Sequence, residues 1–189
     1  MLKDDIDSVA IALLAQGINP FTEGREELKL AYTSLTKQSK FLLKYAYPIS
    51  YVSEHGKSST LSLAPAYSGD LFNIKELSGQ DDWEYVVPKE GTLFFVDCFT
   101  LPAGHSVKEA TKAFLSFINE PQVAADNAQD IWFSTTNSAA RLLTSEKYKT
   151  DSELNPEKAL MLRSYNYKKM SKKGTLLRNK ITSMLSIQE

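Results

Sequence analysis

Amphipathic helical segments alternate along this chain with short runs that have the two-residue period of β-strands. In residues 6–16, apolar side chains recur at the i, i+3, i+4 and i+7 spacing of a helix, which ends at Gly17. Residues 61–67 instead begin by alternating leucine with small side chains, as Leu-Ser-Leu-Ala, and lead into the turn at residues 68–70. Because strands interleaved with helices are typical of α/β architecture, we predict an α/β fold.

The other segments continue this alternation, with an irregular connection expected over residues 46–60. Strands are predicted over residues 83–87 and 93–101, joined by a turn at 88–91. Helices are predicted over 26–43, 157–167 and 174–187. Two more helices are predicted to begin at a Ser106–Glu109 capping box and at Pro121.

Composition excludes several classes of protein. The 22 Lys and Arg residues against 23 Asp and Glu give a net charge of -1, so we expect no nucleic-acid partner. No segment reaches the roughly 18 apolar residues of a membrane span. The acidic N-terminus has no apolar run of signal-peptide length, so we expect no export signal and no anchor in this chain.

Residues capable of catalysis are sparse. His55 and His105 stand alone without metal-ligand spacing, and no Ser-His-Asp arrangement is evident. Cys98 cannot form an intrachain disulfide, and its apolar neighbours predict a position in a strand core. We therefore predict no enzyme activity, no metal and no cofactor. A hydrolase or transferase that uses Asp70 and Asp97 as an acid-base pair is the minor alternative.

Three stretches in series carry a resemblance to a known family. They are Ala66-Tyr67-Ser68-Gly69-Asp70, then Tyr85-Val86-Val87-Pro88-Lys89-Glu90-Gly91 followed by Phe95-Val96-Asp97, and then Asn137-Ser138-Ala139-Ala140-Arg141-Leu142-Leu143. In content, order and spacing they resemble the spermidine/putrescine-binding family of type II periplasmic solute receptors. The resemblance covers nearly the whole chain and is strongest over residues 66–143.

The resemblance implies a fold of two α/β lobes around a ligand cleft, of which this chain is the later part. Residues 1–95 and 143–189 are expected to form part of the second, C-terminal lobe. Residues 96–142 are expected to cross back to the first lobe. The remainder of the first lobe is expected in a preceding sequence or in a separate chain.

Asp97 is the leading candidate for a ligand contact. It interrupts an apolar run, where an unpaired charge would cost several kcal/mol, so it is expected to have a partner. That partner is the ligand or a basic residue of the missing lobe. Phe95 shares the face of Asp97 by strand alternation and resembles the aromatic residue of the family at that point.

Four further residues of the second lobe match the site of the family. Tyr67 matches an aromatic position, and Asp70 is either a ligand contact or a helix N-cap. Asp4 and Asp7 match a pair of acids that hold an amine of the ligand. Acids in the first turn of a helix also stabilise its dipole, so a purely structural role is the alternative for both.

Two positions depart from the family. Phe133 stands where members often carry Tyr, so one polar contact would be lost. Residues 167–170, Tyr-Lys-Lys-Met, give no clear match to a polar amide of the family, and the two lysines would repel a polycation.

The resemblance implies a polyamine-binding component of an ABC importer, located in the periplasm or at the cell surface and partnered by the membrane permease subunits. Alternatives are a receptor for another small organic cation, and a non-binding fragment or interaction module of a split receptor.

Overall fold

The structure is a computed structural model that describes residues 1–58 and 60–186. The chain divides into two compact units. The first unit comprises Met1–Phe95 together with Ala159–Glu189, and the second unit is Val96–Lys158.

This division differs from the predicted one at its second boundary. Residues 143–158 lie in the second unit, whereas the resemblance grouped them with residues 1–95. The correspondence of the two units to the two lobes of a receptor stays a prediction.

Helices dominate the described residues. In chain order the elements are α1 (Asp5–Leu14), α2 (Arg25–Gln38), a 3-10 turn (Ser39–Phe41), α3 (Pro48–His55), a 3-10 turn (Gly56–Ser58), α4 (Asp70–Ser78), β1 (Leu93–Phe94), α5 (Glu109–Ile118), α6 (Pro121–Ile131), α7 (Ser138–Leu143), α8 (Glu146–Thr150), α9 (Lys158–Leu162), β2 (Tyr165–Asn166) and α10 (Lys172–Ser186).

The core of the first unit lies where α1, α2 and α10 pack together. Each helix places its apolar side chains at helical spacing, so one face of each is buried against the other two. The core residues are Val9, Ala12, Leu13, Leu28, Ala31, Leu35, Ile181 and Leu185. The predicted helices over 6–16 and 26–43 are confirmed in position, although the second ends as an α-helix at Gln38.

A buried arginine joins α10 to the segment between α1 and α2. Arg178 is fully buried, and its guanidinium donates to the carbonyl oxygens of Pro20 at 2.6 Å and Thr22 at 3.1 Å. Burial lowers the pKa of Arg178 from its ordinary value, with the charge of Glu23 opposing the shift. Because these carbonyls accept hydrogen bonds from a charged donor inside the protein, Arg178 fixes α10 against the segment between α1 and α2.

The two strands of the first unit pair in parallel, with Leu93 opposite Tyr165 and Phe94 opposite Asn166. Gly91 precedes β1 with φ of 103°, and a Cβ there would lie 2.0 Å from the carbonyl oxygen of Arg163. Only glycine permits this close approach of the two backbones. The pairing places the residues that follow the two strands, Phe95 and Tyr167, side by side.

The second unit has a small core of its own. Ala128, Tyr148 and Leu154 are buried, and Trp132 packs against them. The Tyr148 hydroxyl donates to the Phe133 carbonyl at 2.5 Å and accepts the Thr135 N–H at 3.0 Å. These bonds hold the turn after α6 against α8. The predicted opening of α6 at Pro121 is confirmed.

One face of the second unit is apolar and exposed. No residue of α5 is buried, although its apolar side chains recur at helical spacing. Phe99 is 74% exposed, Phe114 50% and Phe117 55%. Phe99 and Phe114 contact each other edge to face, with ring centroids 5.8 Å apart. We call this surface, with Leu101 and Leu115, the α5 face.

Three strand predictions were wrong or too long. Residues 61–67 and 83–87 are not in strands, and the strand predicted over 93–101 is limited to β1. Leu63 is 88% exposed and Val86 73% exposed, so their apolar side chains face solvent. Since β-propensity depends on partners and burial, a strand-like pattern alone does not form a ladder.

Two further predictions need correction: the irregular connection over 46–60 and the helix over 157–167. The connection expected over 46–60 contains the helix α3. Pro48 lies in its first turn, where proline is favoured, and Val52 is buried. Residue 59 lies outside the described residues. The helix predicted over 157–167 stops with α9, because the N–H groups of Tyr165 and Tyr167 donate to backbone carbonyls beside and within β1. The predicted end of the last helix, residue 187, is also outside the described residues.

The expected capping box of α5 is not formed. Lys108 is the N-cap and makes no capping bond through its side chain, so Ser106 lies outside the helix. Glu109 is the first helical residue, where its charge complements the helix dipole.

Cys98 was predicted in a strand core, but it is exposed and lies outside β1. Over residues 1–58 and 60–186, no helix is both long and apolar enough to cross a membrane.

Candidate ligand-binding site

Asp4 caps α1. Its Oδ1 accepts the N–H groups of Ile6 and Asp7, both at 2.8 Å, so the carboxylate satisfies two of the donors that open the helix. Asp4 therefore has a structural role in α1, which was the alternative to a role in ligand binding. Asp4 remains partly exposed, and both of these bonds end on one of its two oxygens.

Asp7 lies one turn further along α1 and is 3% exposed. Its Oδ2 accepts the Tyr67 hydroxyl at 3.1 Å, and its Oδ1 accepts the Tyr167 hydroxyl. Burial raises the pKa of Asp7 from its ordinary value, the nearby Asp4 charge raises it further, and the two phenol bonds oppose the shift. Burial is the main cause that raises the pKa values of Tyr67 and Tyr167, and the neighbouring Asp7 carboxylate raises both further.

Residues 67–70 form a tight turn that opens α4. Asp70 is the first helical residue, and Gly69, not Asp70 as the structural alternative predicted, is the N-cap. The Asp70 N–H donates to the Tyr67 carbonyl at 3.0 Å, and the Tyr67 N–H donates to the Asp70 carboxylate at 2.8 Å. Asp70 is 6% exposed, and burial raises its pKa. Its carboxylate thus reaches back and fixes the backbone of Tyr67, as the acid of a capping box does.

Aromatic rings cluster on the two tyrosines that bind Asp7. Phe95 contacts Tyr67 and Tyr167 edge to face, with ring centroids 5.6 and 5.8 Å away. Tyr47 stacks on Tyr67 with ring centroids 6.5 Å apart. Phe95 and Tyr47 are each 40% exposed, so part of each ring is open to a ligand. We call Tyr47, Tyr67, Phe95 and Tyr167 the aromatic box.

The sequence analysis missed two members of the aromatic box. Tyr167 lies 160 positions from Asp7 and stands where only a departure from the family was noted. The register of β1 with β2 brings Tyr167 beside Phe95, which no local pattern predicts. Tyr47 precedes Pro48 in a segment predicted to be irregular, and its aromatic side chain was the only signal.

Five predicted site residues lie in the first unit, where the structure brings them together: Asp4, Asp7, Tyr67, Asp70 and Phe95. Asp97 and Phe133 belong to the second unit. Asp97 was predicted to sit in an apolar strand and to need a partner, but it is exposed outside β1, so water solvates its charge. Phe133 is half-buried and accepts the Tyr148 hydroxyl through its backbone.

Metal binding has no support in the described residues. No group of three or more His, Cys, Asp and Glu side chains among them is placed to hold a metal ion. The carboxylates of the site are instead used on backbone N–H groups and phenols, as described above.

Comparison with known proteins places the chain in a family. The family model described as bacterial extracellular solute-binding protein matches residues 1–156. The chain belongs to the bacterial extracellular solute-binding proteins.

Several relatives of this solute-binding protein are named for polyamines. It is 30% identical to the norspermidine sensor of Vibrio cholerae over all of its own length and 52% of the sensor. It is 28% identical to the putrescine-binding periplasmic protein SpuD of Pseudomonas aeruginosa, over 88% of its own length and 46% of that protein. It is also 28% identical to the spermidine/putrescine-binding periplasmic protein of Escherichia coli, over 83% of its own length and 44% of that protein. The chain thus spans about half the length of the curated relatives it matches.

Solved structures confirm the predicted fold class. A candidate spermidine/putrescine ABC transporter protein from Listeria monocytogenes superposes with a TM-score of 0.80 at 17% identity, and the spermidine/putrescine ABC transporter substrate-binding protein PotD of Streptococcus pneumoniae with 0.75 at 19%. Each match covers 98% of this chain and 56% of the solved chain. The solute-binding protein therefore has an incomplete α/β fold of the periplasmic-binding type.

Proposed function

We propose that this protein binds a polyamine such as spermidine or putrescine and delivers it to the membrane permease of an ABC importer. The observation that carries the proposal is the aromatic box, built around a buried carboxylate and beside the partly exposed Asp4. Binding is followed by release to the permease, and the protein performs no chemical reaction on the ligand.

The chemistry of the aromatic box suits a polyamine. A polyamine carries ammonium groups separated by methylenes, so its receptor needs carboxylates near the charges and ring faces along the carbon chain. Phe95 and Tyr47 offer the partly exposed rings, and Asp4 offers the partly exposed carboxylate. Burial is the main cause that raises the pKa of Tyr47, and the negative charges of Asp4 and Asp7 raise it further; these two charges favour a cation at this surface.

Similarity to relatives supports the same ligand class. Proteins named for spermidine, putrescine and norspermidine align over most or all of this chain. Relatives named as periplasmic proteins support a location in the periplasm or at the cell surface.

Asp97 and Phe133 are proposed to complete the site from the other lobe of the receptor. The α5 face supports a need for further protein, because an α/β lobe normally buries the apolar faces of its helices on a sheet. Sequence beyond this chain, in the same or a separate polypeptide, is proposed to provide that cover.

A second candidate function keeps the ligand and changes the partner. Similarity over the whole chain to a norspermidine sensor favours a receptor that reports polyamine binding to a signalling protein instead of a permease. Co-purification of the polyamine-loaded protein with permease subunits supports transport, whereas co-purification with a signalling protein supports sensing.

Calorimetry on the protein at its natural length tests the proposed function. Spermidine and putrescine are expected to give saturable binding, and 1,4-butanediol, the uncharged analogue of putrescine, is expected to give none. Spermidine recovered unchanged by mass spectrometry separates binding from hydrolysis. Absence of heat with every polyamine tested would overturn the proposal.

Substitutions at Tyr67 locate the binding. Tyr67→Ala is expected to weaken spermidine binding by about 1 to 2 kcal/mol, because the ring face is lost. Tyr67→Phe keeps that face and is expected to weaken binding less. Equal losses from the two substitutions would indicate a hydroxyl contact with the ligand.

A further inference from the structure

Asp7 differs from an ordinary ligand-binding carboxylate in having both oxygens already engaged. Oδ2 accepts the Tyr67 hydroxyl at 3.1 Å and Oδ1 accepts the Tyr167 hydroxyl. The residue is only 3% exposed. Because so little of Asp7 is exposed, an ammonium group of a ligand would have to displace a neighbouring side chain before it reached the carboxylate.

The two phenols bind Asp7, and Phe95 contacts the rings of both. Phe95 lies between the rings of Tyr67 and Tyr167, edge to face with both, at 5.6 and 5.8 Å between centroids. Phe21 supports the other side of Tyr167, with ring centroids 5.3 Å apart. Each tyrosine is therefore held at its hydroxyl by Asp7 and along its ring by aromatic neighbours, so its orientation is fixed before a ligand arrives.

A hydrogen bond to a carboxylate also changes the ring itself. The bond polarises the phenol and moves electron density toward its oxygen and ring, which strengthens the attraction between the ring face and a cation. Rings that are already oriented lose little conformational freedom on binding, so more of the contact energy appears as affinity. Asp7 can thus strengthen cation binding without touching the cation.

We infer that Asp7 is a positioning residue that acts through Tyr67 and Tyr167, and that Tyr167 is a ligand-facing wall of the site. This inference rests on the proposed polyamine-binding function. It assigns the partly exposed Asp4 as the carboxylate nearer to the ligand and gives Tyr167, 160 positions from Asp7 in sequence, a part in binding.

A double-mutant cycle on the protein at its natural length separates positioning from direct contact. Spermidine affinity is measured for Asp7→Asn in the wild-type background and in a Tyr67→Phe/Tyr167→Phe background. If Asp7 acts through the phenols, Asp7→Asn weakens binding by about tenfold in the first background and by less than about twofold in the second. A direct ammonium contact predicts the same large loss in both backgrounds, and that result would overturn the inference.

Two further variants test Tyr167 as a wall. Tyr167→Leu is expected to weaken spermidine binding by about tenfold, because the cation loses a ring face. Tyr167→Phe is expected to weaken it less, since the ring remains. Tyr51→Phe, a partly exposed tyrosine of α3 that stacks on His55, is the matched control and is expected to change nothing. Unchanged affinity in Tyr167→Leu would remove Tyr167 from the site.

A measurement without ligand distinguishes failure of this inference from failure of the proposed function. Tyrosine ionisation is followed by ultraviolet absorbance in wild type and Asp7→Asn, with circular dichroism to confirm folding. Because the Asp7 charge helps to raise the pKa of both phenols, Asp7→Asn is expected to let tyrosines ionise at lower pH. Identical titrations would overturn the positioning role of Asp7 whether or not polyamines bind. Absence of polyamine binding by the wild type would overturn the proposed function.

Discussion

The two units of this chain differ in how completely each buries its own apolar side chains. In the first unit, α1, α2 and α10 enclose a core in which Leu13 is fully buried. In the second unit, α5 buries no residue and Phe99 is 74% exposed. Burial of apolar surface is the main force that stabilises a fold. The first unit therefore gains more of this stabilisation from its own residues than the second unit does.

Polar groups show the same contrast. Each buried carboxylate of the first unit has donors within that unit: Asp7 has two phenols, and Asp70 has the Tyr67 N–H. Asp97 of the second unit is exposed, with its charge in water. The first unit thus provides hydrogen-bond donors for its own buried carboxylates, whereas Asp97 of the second unit is solvated by water.

The largest expected effect concerns the 189 residues expressed alone. We expect them to bind spermidine at least about 1,000-fold more weakly than the protein at its natural length, a loss of about 4 kcal/mol, because one wall of the cleft leaves the ligand solvated. We also expect self-association through the α5 face, since exposed apolar patches above a few hundred Å² are rare on monomers. Calorimetry and light scattering measure the two effects.

A matched variant tests the cause of this self-association. Phe114→Lys with Phe117→Lys places charges on the α5 face and is expected to restore a monomer. A monomeric wild-type chain with micromolar affinity for spermidine would show that these 189 residues are sufficient for binding.

Substitutions of apolar residues in the two units are expected to differ by a few kcal/mol in their effect on the free energy of unfolding. Leu13→Ala leaves a cavity between α1 and its neighbours, so it is expected to lower the free energy of unfolding by about 3 kcal/mol. Phe114→Ala removes a half-exposed ring and is expected to cost about 1 kcal/mol or less in the same 189 residues. Urea unfolding followed by circular dichroism provides both values, and equal losses would contradict the contrast between the units.

Asp97 tests whether the second unit contributes to the site. In the protein at its natural length, Asp97→Asn is expected to weaken polyamine binding by about 1.5 to 3 kcal/mol, as loss of a charge-assisted contact does. Asp82→Asn, at an exposed acid of the first unit, is the control. If the two variants bind spermidine equally well, Asp97 does not belong to the site.

The smallest effect is the pH dependence that Asp7 gives the first unit. Burial raises its pKa above the ordinary 3.8, so the native state holds this proton more tightly than the unfolded chain. Its contribution to stability is complete below that ordinary value and is lost as pH rises through the raised pKa. Relative to Asp7→Asn, the wild type is therefore expected to be more stable at about pH 4.5 than at about pH 7.

Urea unfolding of both proteins at the two pH values measures this difference, and Asp82→Asn is again the control. A difference in unfolding free energy that is constant with pH would mean that the carboxyl of Asp7 is not buried in solution.

Much of the helical framework follows from sequence, because α1, α2 and α10 bury stripes whose spacing is visible in a single segment. Strands were predicted poorly, since a run such as residues 61–67 becomes a strand only beside a partner that the pattern does not reveal. The resemblance placed Asp7, Tyr67 and Phe95 at one site. It did not find Tyr167, which reaches Asp7 only through the pairing of β1 with β2.

The central claim is that a polyamine lies on the aromatic box of the first unit. Nuclear Overhauser effects between the methylene protons of spermidine and assigned aromatic protons of the protein at its natural length test it most directly. The account predicts cross-peaks to Tyr67, Phe95 and Tyr167. Cross-peaks confined to other rings at saturating spermidine, such as Phe99 and Phe114 of the α5 face, would contradict it.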